Sequence, residues 1–524
     1  MDRFSFSQQD RNQLAEVGIS TEEVQRQLEL FARQDTFWDL HRPCTLGDGI
    51  LTVDGALEKQ CLEAYHKASR NGRYLKFVPA SGAATRMFQA LFAVLNEDPV
   101  PRLERLQERA DGGDEAARSA VRFVKEAQRF AFYEAWKART ESQGCRLDQA
   151  LKAGDLERPL RLLLTEEGLG LGRLPKALIP FHRYDDHVRT ALEEHLVEAA
   201  HYVRNAHGAC RLHFTVSPEH EDLFREHVDR VRPVHEGRLN TQYAMGFSHQ
   251  SPSTHTIAVD EHNRPFRDAQ GRLVFRPAGH GALLGNLSGL DGDLVYIKNI
   301  DNVVPDHLKG ETLRWKRILG GLAVLIQQQV HAHIKRLRAV GSRNAVEDAR
   351  RFVQETFGEA GSAVGGSLSA QRDLILDALD RPMRVCGMVR NVGEPGGGPF
   401  WVRNADGRIR MQIVEKAQVN MDDPAQRAIW SRSTHFNPVD LVCALRDPDG
   451  KPYDLQRYVD PNAVIITRKS LEGRPLKALE LPGLWNGSMA FWNTLFVQVP
   501  TITFNPVKTV LDLLRSEHQP RGRP

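Results

Sequence analysis

From Tyr74 onward, short β-type runs alternate with helical patterns, and this alternation limits the folds open to the chain more than any other feature. Tyr74-Leu-Lys-Phe-Val78 is a compact apolar run, Pro79-Ala-Ser-Gly-Ala-Ala-Thr-Arg86 is a stretch of small residues, and Met87 to Leu95 spaces its apolar positions as a helix does. Strand, small-residue loop and helix together open an α/β unit. A second such unit is expected near Arg173-Leu-Pro-Lys-Ala-Leu-Ile-Pro-Phe181, with a helix from Val188 to Arg204, a strand from Arg211 to Val216 and a helix from Glu219 to Val231. Asp293 to Asn299 reads as a further strand that ends at Ile300-Asp301-Asn302. The pattern predicts an α/β fold with a mixed, mainly parallel sheet covered on both faces.

Around this core the texture divides the chain into four parts. Residues 1–70 read as a helical N-terminal region, with Val24, Leu28 and Phe31 on one face. Residues 71–305 form the α/β core, interrupted at 96–170 by a charged helical insertion that breaks at Ala110-Asp-Gly-Gly-Asp114. Residues 306–380 are a second helical segment with a loose Gly- and Ser-rich stretch at Gly361 to Ser369. Residues 381–524 mix strands with turns as a C-terminal lobe, whose tail after Arg515 is expected to fray.

Composition excludes several classes. The 524 residues are 41% hydrophobic, enough to bury a ligand cleft without disulfides or structural metal. Seventy basic and 67 acidic side chains leave a net charge of +3, without the basic stripe of a dedicated nucleic-acid binder. Small anionic ligands stay open, because they need only a few placed cations. The six cysteines show neither a C-x-x-C pair nor zinc spacing, which suits reduced thiols. The N-terminus is charged, and the longest apolar run, Ile318–Ile326, falls well short of the roughly 20 residues that span a bilayer. A cytoplasmic protein without a membrane partner is expected.

The residues that could carry chemistry are few. In Ala80-Ser81-Gly82-Ala83-Ala84-Thr85-Arg86, small side chains would let backbone N–H groups approach a phosphate at a helix start, with Arg86 adding a fixed charge; a tight turn packed for its own sake is the alternative. Lys176 follows a proline in an apolar run, where it either snorkels or meets an anion. Asp301, at the end of a strand, is a hard carboxylate suited to Mg²⁺ or a simple turn cap. Asn505-Pro506 reads as an N-cap and first helical residue, which would put Lys508 in a first turn where the helix dipole disfavours a cation unless an anion is bound. The similar string Phe436-Asn-Pro-Val-Asp440 reads as ordinary capping, because an acid at the third position is favourable there. His331 and His333, two apart on a helix, do not face each other and make no metal pair.

The first two elements resemble the paired signature of sugar nucleotidyltransferases, roughly A-G-G-x-G-T-R-[LM] and P-K-x-[LM]-x-P, with Ser81 and Ala84 where that family prefers glycine. The helical insertion accounts for the long interval between Arg86 and Lys176. Four later segments are similar to those of UDP-sugar pyrophosphorylases: Phe247-Ser-His-Gln250, Pro277-Ala-Gly-His-Gly-Ala-Leu283, Lys298-Asn-Ile-Asp-Asn302, and Ile502-Thr-Phe-Asn-Pro-Val-Lys-Thr-Val-Leu-Asp-Leu-Leu514. The chain as a whole resembles an uncharacterised bacterial family that carries the same set.

The resemblance implies a Rossmann-like nucleotide-diphospho-sugar transferase fold with a helical N-terminal region and helical insertions. It implies an enzyme that joins an NTP, UTP favoured, to a sugar 1-phosphate with Mg²⁺ as cofactor. Arg86, Lys176 and Lys508 would be catalytic, and residues 80–85 with Gln250, Gly279, His280 and Gly281 would bind the nucleotide. Glu415, Asn437 and Asn486 would bind the sugar, and Asp301 the metal. A glycosyltransferase of similar fold is one rival reading, which would need the carboxylate but not the trio Arg86, Lys176 and Lys508; a non-catalytic nucleotide-binding protein, suggested by Ser81 and Ala84, is the other, and the retention of that trio together with Asp301 argues against it.

Overall fold

The strand Tyr74–Pro79 is buried from its first residue to Val78 and runs parallel to Leu294–Lys298, with Tyr74 opposite Leu294 and Phe77 opposite Ile297. The segments that follow both strands therefore leave from one edge, the edge at which open α/β sheets collect their ligands. The computed structural model describes residues 4–33, 37–339, 341–358, 366–393, 396–404 and 407–521. Part of the Gly- and Ser-rich stretch, residues 361–365, lies outside the described residues. The chain divides into two compact units, Met1–Phe77 with Ser248–Ile297 and Arg317–Thr501, and Val78–Phe247 with Lys298–Lys316 and Ile502–Pro524.

The first unit holds a mixed, mainly parallel sheet. In order its strands are Thr45–Leu46, Gly49–Leu51, Asn493–Gln498, Met383–Arg390, Asp440–Ala444, Leu294–Lys298 and Tyr74–Pro79. Pairing is parallel between the first and second, the second and third, the third and fourth, and the last two, and antiparallel between Met383–Arg390 and Asp440–Ala444. Val295, Ile297, Cys386, Met388, Leu441 and Phe496 pack in its core, the near-continuous apolar strand content of a sheet covered on both faces.

The N-terminal seventy residues contain helices Gln8–Val17, Thr21–Ala32 and Gly55–Arg70, capped by Ser7, Ser20 and Asp54. The first two helices pack Leu14, Val24, Leu28 and Phe31 against Ile257, Val259 and Leu479 of a four-stranded antiparallel sheet. Between the helices the same stretch also holds short strands at Asp39–Pro43, Thr45–Leu46 and Gly49–Leu51. Asp39–Pro43 takes its place only by pairing with Gly398–Arg403, a partner more than 350 positions away, so local periodicity carries no sign of it.

In the second unit the stretch from 103 to 164 is helical, with Phe123, Phe130, Phe132 and Trp136 buried together and the Phe123 and Phe130 rings 4.8 Å apart. The expected strand around Arg173–Phe181 is instead a single 3₁₀ turn, Lys176–Leu178, followed by the strand Pro180–Arg183. Pro175 and Pro180 cannot donate ladder hydrogen bonds, which limits a strand at this place.

The tail beyond Arg515 is not frayed through Gln519. His518 is buried, and its Nδ1 lies 2.9 Å from Nε2 of His182. His182 Nδ1 donates to Glu194 at 2.9 Å, and Tyr184 donates to the same oxygen at 2.7 Å. Burial pushes the Glu194 carboxyl up, but Lys309, His182 and Arg189 outweigh it and hold it well below the usual range. Glu194 is thus an acceptor only, which fixes the proton of His182 on Nδ1 and makes His518 the donor to Nε2. No helix among the described residues is long and apolar enough to cross a membrane.

The long helix Lys309–Ala339 approaches its neighbours through two glycines. A Cβ at Gly321 would lie 1.8 Å from the Cys61 carbonyl, and one at Gly320 would lie 1.9 Å from the Tyr296 hydroxyl. Gly321→Ala is expected to lower stability by about 1–3 kcal/mol through overpacking against backbone. Urea unfolding of the two proteins measures the loss, and an unchanged midpoint would contradict the close approach.

Candidate functional site

Asp301 stands in the turn after Leu294–Lys298, and in the second unit three separate stretches of chain meet at it. Its neighbour Asn302 accepts a hydrogen bond from the Asn505 N–H at 2.9 Å and donates to the Thr503 carbonyl at 3.3 Å. This lays the C-terminal segment alongside, and the Val507 N–H donates to the Asp301 carbonyl at 3.1 Å. Lys176 Nζ donates to Asp301 Oδ2 at 3.0 Å and to the Val507 carbonyl at 2.8 Å. Lys508 Nζ donates to the same Oδ2, also at 3.0 Å. Burial pushes the Asp301 carboxyl up, and the two ammonium groups outweigh that and hold it below the usual carboxylate range. The Lys176 side chain is 16% exposed and that of Lys508 is 52% exposed.

The small-residue loop is tied to this cluster through Lys176. The Lys176 N–H donates to the Gly82 carbonyl at 3.1 Å, and the Ala84 N–H donates to the Leu174 carbonyl at 2.9 Å. These two bonds bring residues 80–86 against Leu174–Lys176 across the long sequence interval. Ala80 and Ala84 are buried, Ser81 is half-buried, and Gly82, Ala83, Thr85 and Arg86 are exposed. A Cβ at Gly82 would meet nothing, so the glycine faces open space. Among the described residues the amides of Ser81, Gly82 and Ala83 have no acceptor, and Arg86 has no ion-pair partner. The helical pattern after the loop differs from expectation: a 3₁₀ turn spans Ala84–Arg86 and the α-helix begins only at Gln89. The loop thus offers its own N–H groups rather than the end of a long dipole.

Lys508 is not in a helical first turn. Residues 504–508 lie outside any helix, Pro506 bridges Asn302, and the next helical turn, Val510–Leu514, is capped by Thr509. Asp512 closes a capping box with Thr509 and accepts the Lys508 N–H at 2.9 Å. The spacing Thr509-x-x-Asp512 is the signal that locates this cap. The dipole conflict expected for Lys508 therefore does not arise, and what holds its ammonium is Asp301.

Asp301 Oδ1 is buried and has no hydrogen-bond partner among the described residues. Among the described residues no group of three or more His, Cys, Asp or Glu side chains could hold a metal ion. A single carboxylate oxygen fits Mg²⁺, which commonly takes one or two carboxylates and completes its octahedron with water and phosphate oxygens.

The first unit carries the other predicted residues. Glu415 follows the strand Ile409–Val414, and its Oε1 accepts from Asn486 Nδ2 at 2.8 Å, with His280 Nε2 at 3.4 Å. The Leu484 N–H donates to His280 Nδ1 at 2.9 Å, which puts the ring proton on Nε2, facing Glu415. Burial pushes the Glu415 carboxyl up, while His280 and Asn486 outweigh it and leave it low. The His280 ring stacks on Trp485 with centroids 4.1 Å apart. Asn486 Oδ1 is buried without a partner among the described residues.

Gly279 and Gly281 are needed by the protein itself. Gly279 has a φ of +73°, and a Cβ at Gly281 would lie 2.3 Å from the Pro482 carbonyl. Asn437 is buried, with its Oδ1 accepting from the Val439 N–H at 3.1 Å, and its own N–H donates at 2.7 Å to the carbonyl of Gly397, where a Cβ would lie 3.5 Å from the Glu415 side chain. It opens a turn into the strand Asp440–Ala444 rather than capping a helix, as Asp440 had suggested. Gln250 lies half-buried in the loop after Gln242–Ser248. The partnership of His280 and Trp485 with Glu415 and Asn486 has no local signature in the sequence.

A family model described as "Domain of unknown function (DUF4301)" matches residues 7–519. No curated protein matches the sequence. Among solved structures, a uridine diphosphate N-acetylglucosamine pyrophosphorylase from Trypanosoma brucei is similar at 13% identity and a TM-score of 0.49, over 97% of this chain and 79% of that one. A UDP-glucose pyrophosphorylase from Leishmania major is similar at 12% identity and a TM-score of 0.46, with the same coverage. A UDP-glucose phosphorylase from Trypanosoma brucei aligns at 12% identity and a TM-score of 0.44, over 97% of this chain and 80% of that one.

The Asp301 ion pairs set a pH signature. A carboxyl whose folded pKa is depressed contributes stability that is fully present above its unfolded pKa, near 3.9, and that is lost as pH falls through the folded value. Asp301→Asn should therefore cost about 1.5–3 kcal/mol at neutral pH, a gap that stays constant down to about pH 4 and narrows below it. Denaturant unfolding of both proteins across this range is the measurement, and a gap independent of pH would detach the ion pairs from stability.

Proposed function

The chain belongs to the DUF4301 family, and we propose that it is a nucleotidyltransferase that joins a nucleoside triphosphate, UTP preferred, to a sugar 1-phosphate and releases pyrophosphate. The observation that carries this reading is the convergence of Lys176 and Lys508 on one oxygen of buried Asp301, tied through Lys176 to a loop with three unbonded amides and an exposed Arg86.

In the proposed reaction a sugar-phosphate oxygen attacks the α-phosphorus in line, forming the new P–O bond while the bond to the β-phosphate oxygen breaks. Pyrophosphate leaves with that electron pair, and no covalent enzyme intermediate is needed. The work of the protein is then positioning and charge neutralisation. Arg86 and the amides of Ser81, Gly82 and Ala83 would hold the β- and γ-phosphates. Lys176 and Lys508 would turn from Asp301 to the α-phosphate and the incoming phosphate; in the empty protein Asp301 holds both ammonium groups close together. Asp301 Oδ1 would hold Mg²⁺, which when bound neutralises charge on the triphosphate.

In the first unit Glu415, as an acceptor held by Asn486, suits sugar hydroxyls, and the Oδ1 of Asn486 is a further acceptor. Asn437, with a buried Nδ2 that has no partner among the described residues, is a donor for the same class of ligand. Gln250 and the loop at Gly279, His280 and Gly281 are assigned to the base, where the glutamine amide can pair with uracil through both donor and acceptor. A glycosyltransferase would use the carboxylate but would leave Arg86, Lys176 and Lys508 without a common task.

Pyrophosphate release from the four nucleoside triphosphates, each with a panel of sugar 1-phosphates, tests the reading. Turnover is expected with UTP above the purine nucleotides, to vanish with chelator and to return with Mg²⁺. Tight UTP binding without pyrophosphate from any pair would leave a binding protein in place of an enzyme.

Lys508→Gln separates chemistry from stability at one residue. Its exposed pairing with Asp301 is worth at most about 1 kcal/mol to the empty protein. A charge-assisted contact to phosphate is worth about 1.5–3 kcal/mol, so kcat/KM should fall roughly ten- to hundred-fold. Stopped assays alongside thermal unfolding give both numbers; equal kinetics in the two proteins would remove Lys508 from the mechanism.

A further inference from the structure

Gln418, three residues past Glu415 in the first unit, is 1% exposed, and its amide is oriented by its neighbours. Its Oε1 accepts the Glu415 N–H at 3.0 Å and Asn486 Nδ2 at 3.3 Å. Two donors on one oxygen fix which end of the amide is which, and the remaining Nε2 is buried with no partner among the described residues. Asn486 is fixed in the same way. Its Nδ2 donates to Glu415 Oε1 at 2.8 Å as well as to Gln418, which leaves Oδ1 as the atom without a partner. One donor and one acceptor are therefore left over on two amides that touch. Unbonded buried donors and acceptors are costly, so such a pair points to a polar group that meets both. The neighbouring Glu415 and His280 side chains are 32% and 26% exposed, and solvent reaches the cluster there.

Resting on the assignment of Glu415 and Asn486 to the sugar, we propose that Gln418 is a further specificity-determining residue, which together with Asn486 holds the acetamido group of an acetamido-sugar 1-phosphate. The ligand carbonyl would accept from Gln418 Nε2, and the ligand N–H would donate to Asn486 Oδ1. Bond lengths put the nitrogen and oxygen of one amide about 2.3 Å apart, so the two leftover atoms lie within about 8 Å of each other. A secondary amide, with a hydrogen bond of about 2.9 Å at either end, reaches across such an interval. A single hydroxyl oxygen reaches at most about 6 Å by the same measure. Sugar hydroxyls already have an anionic acceptor in Glu415. The mixed pair beside it suits a group that carries its donor and its acceptor on different atoms.

Pyrophosphate release, with the four nucleoside triphosphates present together and Mg²⁺, tests the proposal on two matched pairs: N-acetylglucosamine 1-phosphate with glucose 1-phosphate, and N-acetylgalactosamine 1-phosphate with galactose 1-phosphate. The members of each pair differ only in acetamido against hydroxyl at one carbon. In wild type, kcat/KM should favour the acetamido member of at least one pair by about ten-fold or more. Gln418→Glu keeps the oxygen that accepts from Glu415 and Asn486 and replaces only the donor, so the preference should fall to near parity. Gln418→Met serves if that variant does not fold. A merely structural glutamine would lower both members alike and leave their ratio unmoved. Calorimetric titration of the same four sugar phosphates, with the nucleotides present and Mg²⁺ withheld by chelator, reads the preference without turnover. Acetamido preference in binding, with no pyrophosphate from any pair, would sink the reaction and keep the amide contact. Equal use and equal binding of both members of each pair would overturn the proposal and leave the two atoms to ordered water. So would a preference that survives in the Gln418 variants, or the absence of both turnover and binding with all four.

Discussion

A single carboxylate oxygen, Oδ2 of Asp301, accepts hydrogen bonds from two ammonium groups that reach it from 125 positions upstream and 207 positions downstream. Neither lysine is near Asp301 in the chain, and Lys176 is mostly buried. Two cations held close together repel, and they stay there because the shared anion compensates both. The geometry around the pair follows from that compensation: Val507 bonds to Asp301 through its N–H and to Lys176 through its carbonyl, and Asn302 clamps the segment just before Pro506 through Thr503 and Asn505. Removing the carboxylate would leave two charges facing each other with no third party.

The same cluster explains why the loop at 80–86 is built from small residues. The Gly82 carbonyl is committed to Lys176, and the open space where a side chain would stand at Gly82 keeps the preceding amides accessible. At Gly279 and Gly281 the reason for glycine is different, because there the chain's own Glu480 and Pro482 occupy the space a Cβ would need. Glycines that look alike in a motif thus answer to different constraints, one to clear ground and the others to close packing.

What could be read in advance was what depends on local pattern. The strands at Tyr74–Pro79 and Leu294–Lys298 show their apolar runs directly, and the loop and turn that follow them are visible as punctuation. The residues gathered at Asp301 were each legible as odd: a lysine in an apolar run, an acid at a strand end, a lysine beside Asn-Pro. Their mutual contact was not legible, because it depends on pairings across more than a hundred residues. The local reading of Asn505-Pro506 as a helix start failed because Pro506 is drawn into a bridge with Asn302 and the capping box lies four residues on, at Thr509 and Asp512. His518 was assigned to a loose tail for a related reason, since the buried His182 that holds it has no signature near the C-terminus.

The second unit draws on Val78–Phe247, Lys298–Lys316 and Ile502–Pro524, and this order has a consequence for how the molecule is made. A ribosome delivers Lys176 and Asp301 long before Lys508, and at about 5–20 residues per second the 207 positions between Asp301 and Lys508 take roughly 10–40 s. Throughout that interval Asp301 has one ammonium partner, the Val507 carbonyl is missing, and His182 waits for His518. The cluster around Asp301 is therefore among the last parts of the chain to be completed. A nascent chain stalled anywhere between Asp301 and Lys508 carries the loop at 80–86 and the acid at 301, yet lacks the second lysine that turns them into a paired-cation site.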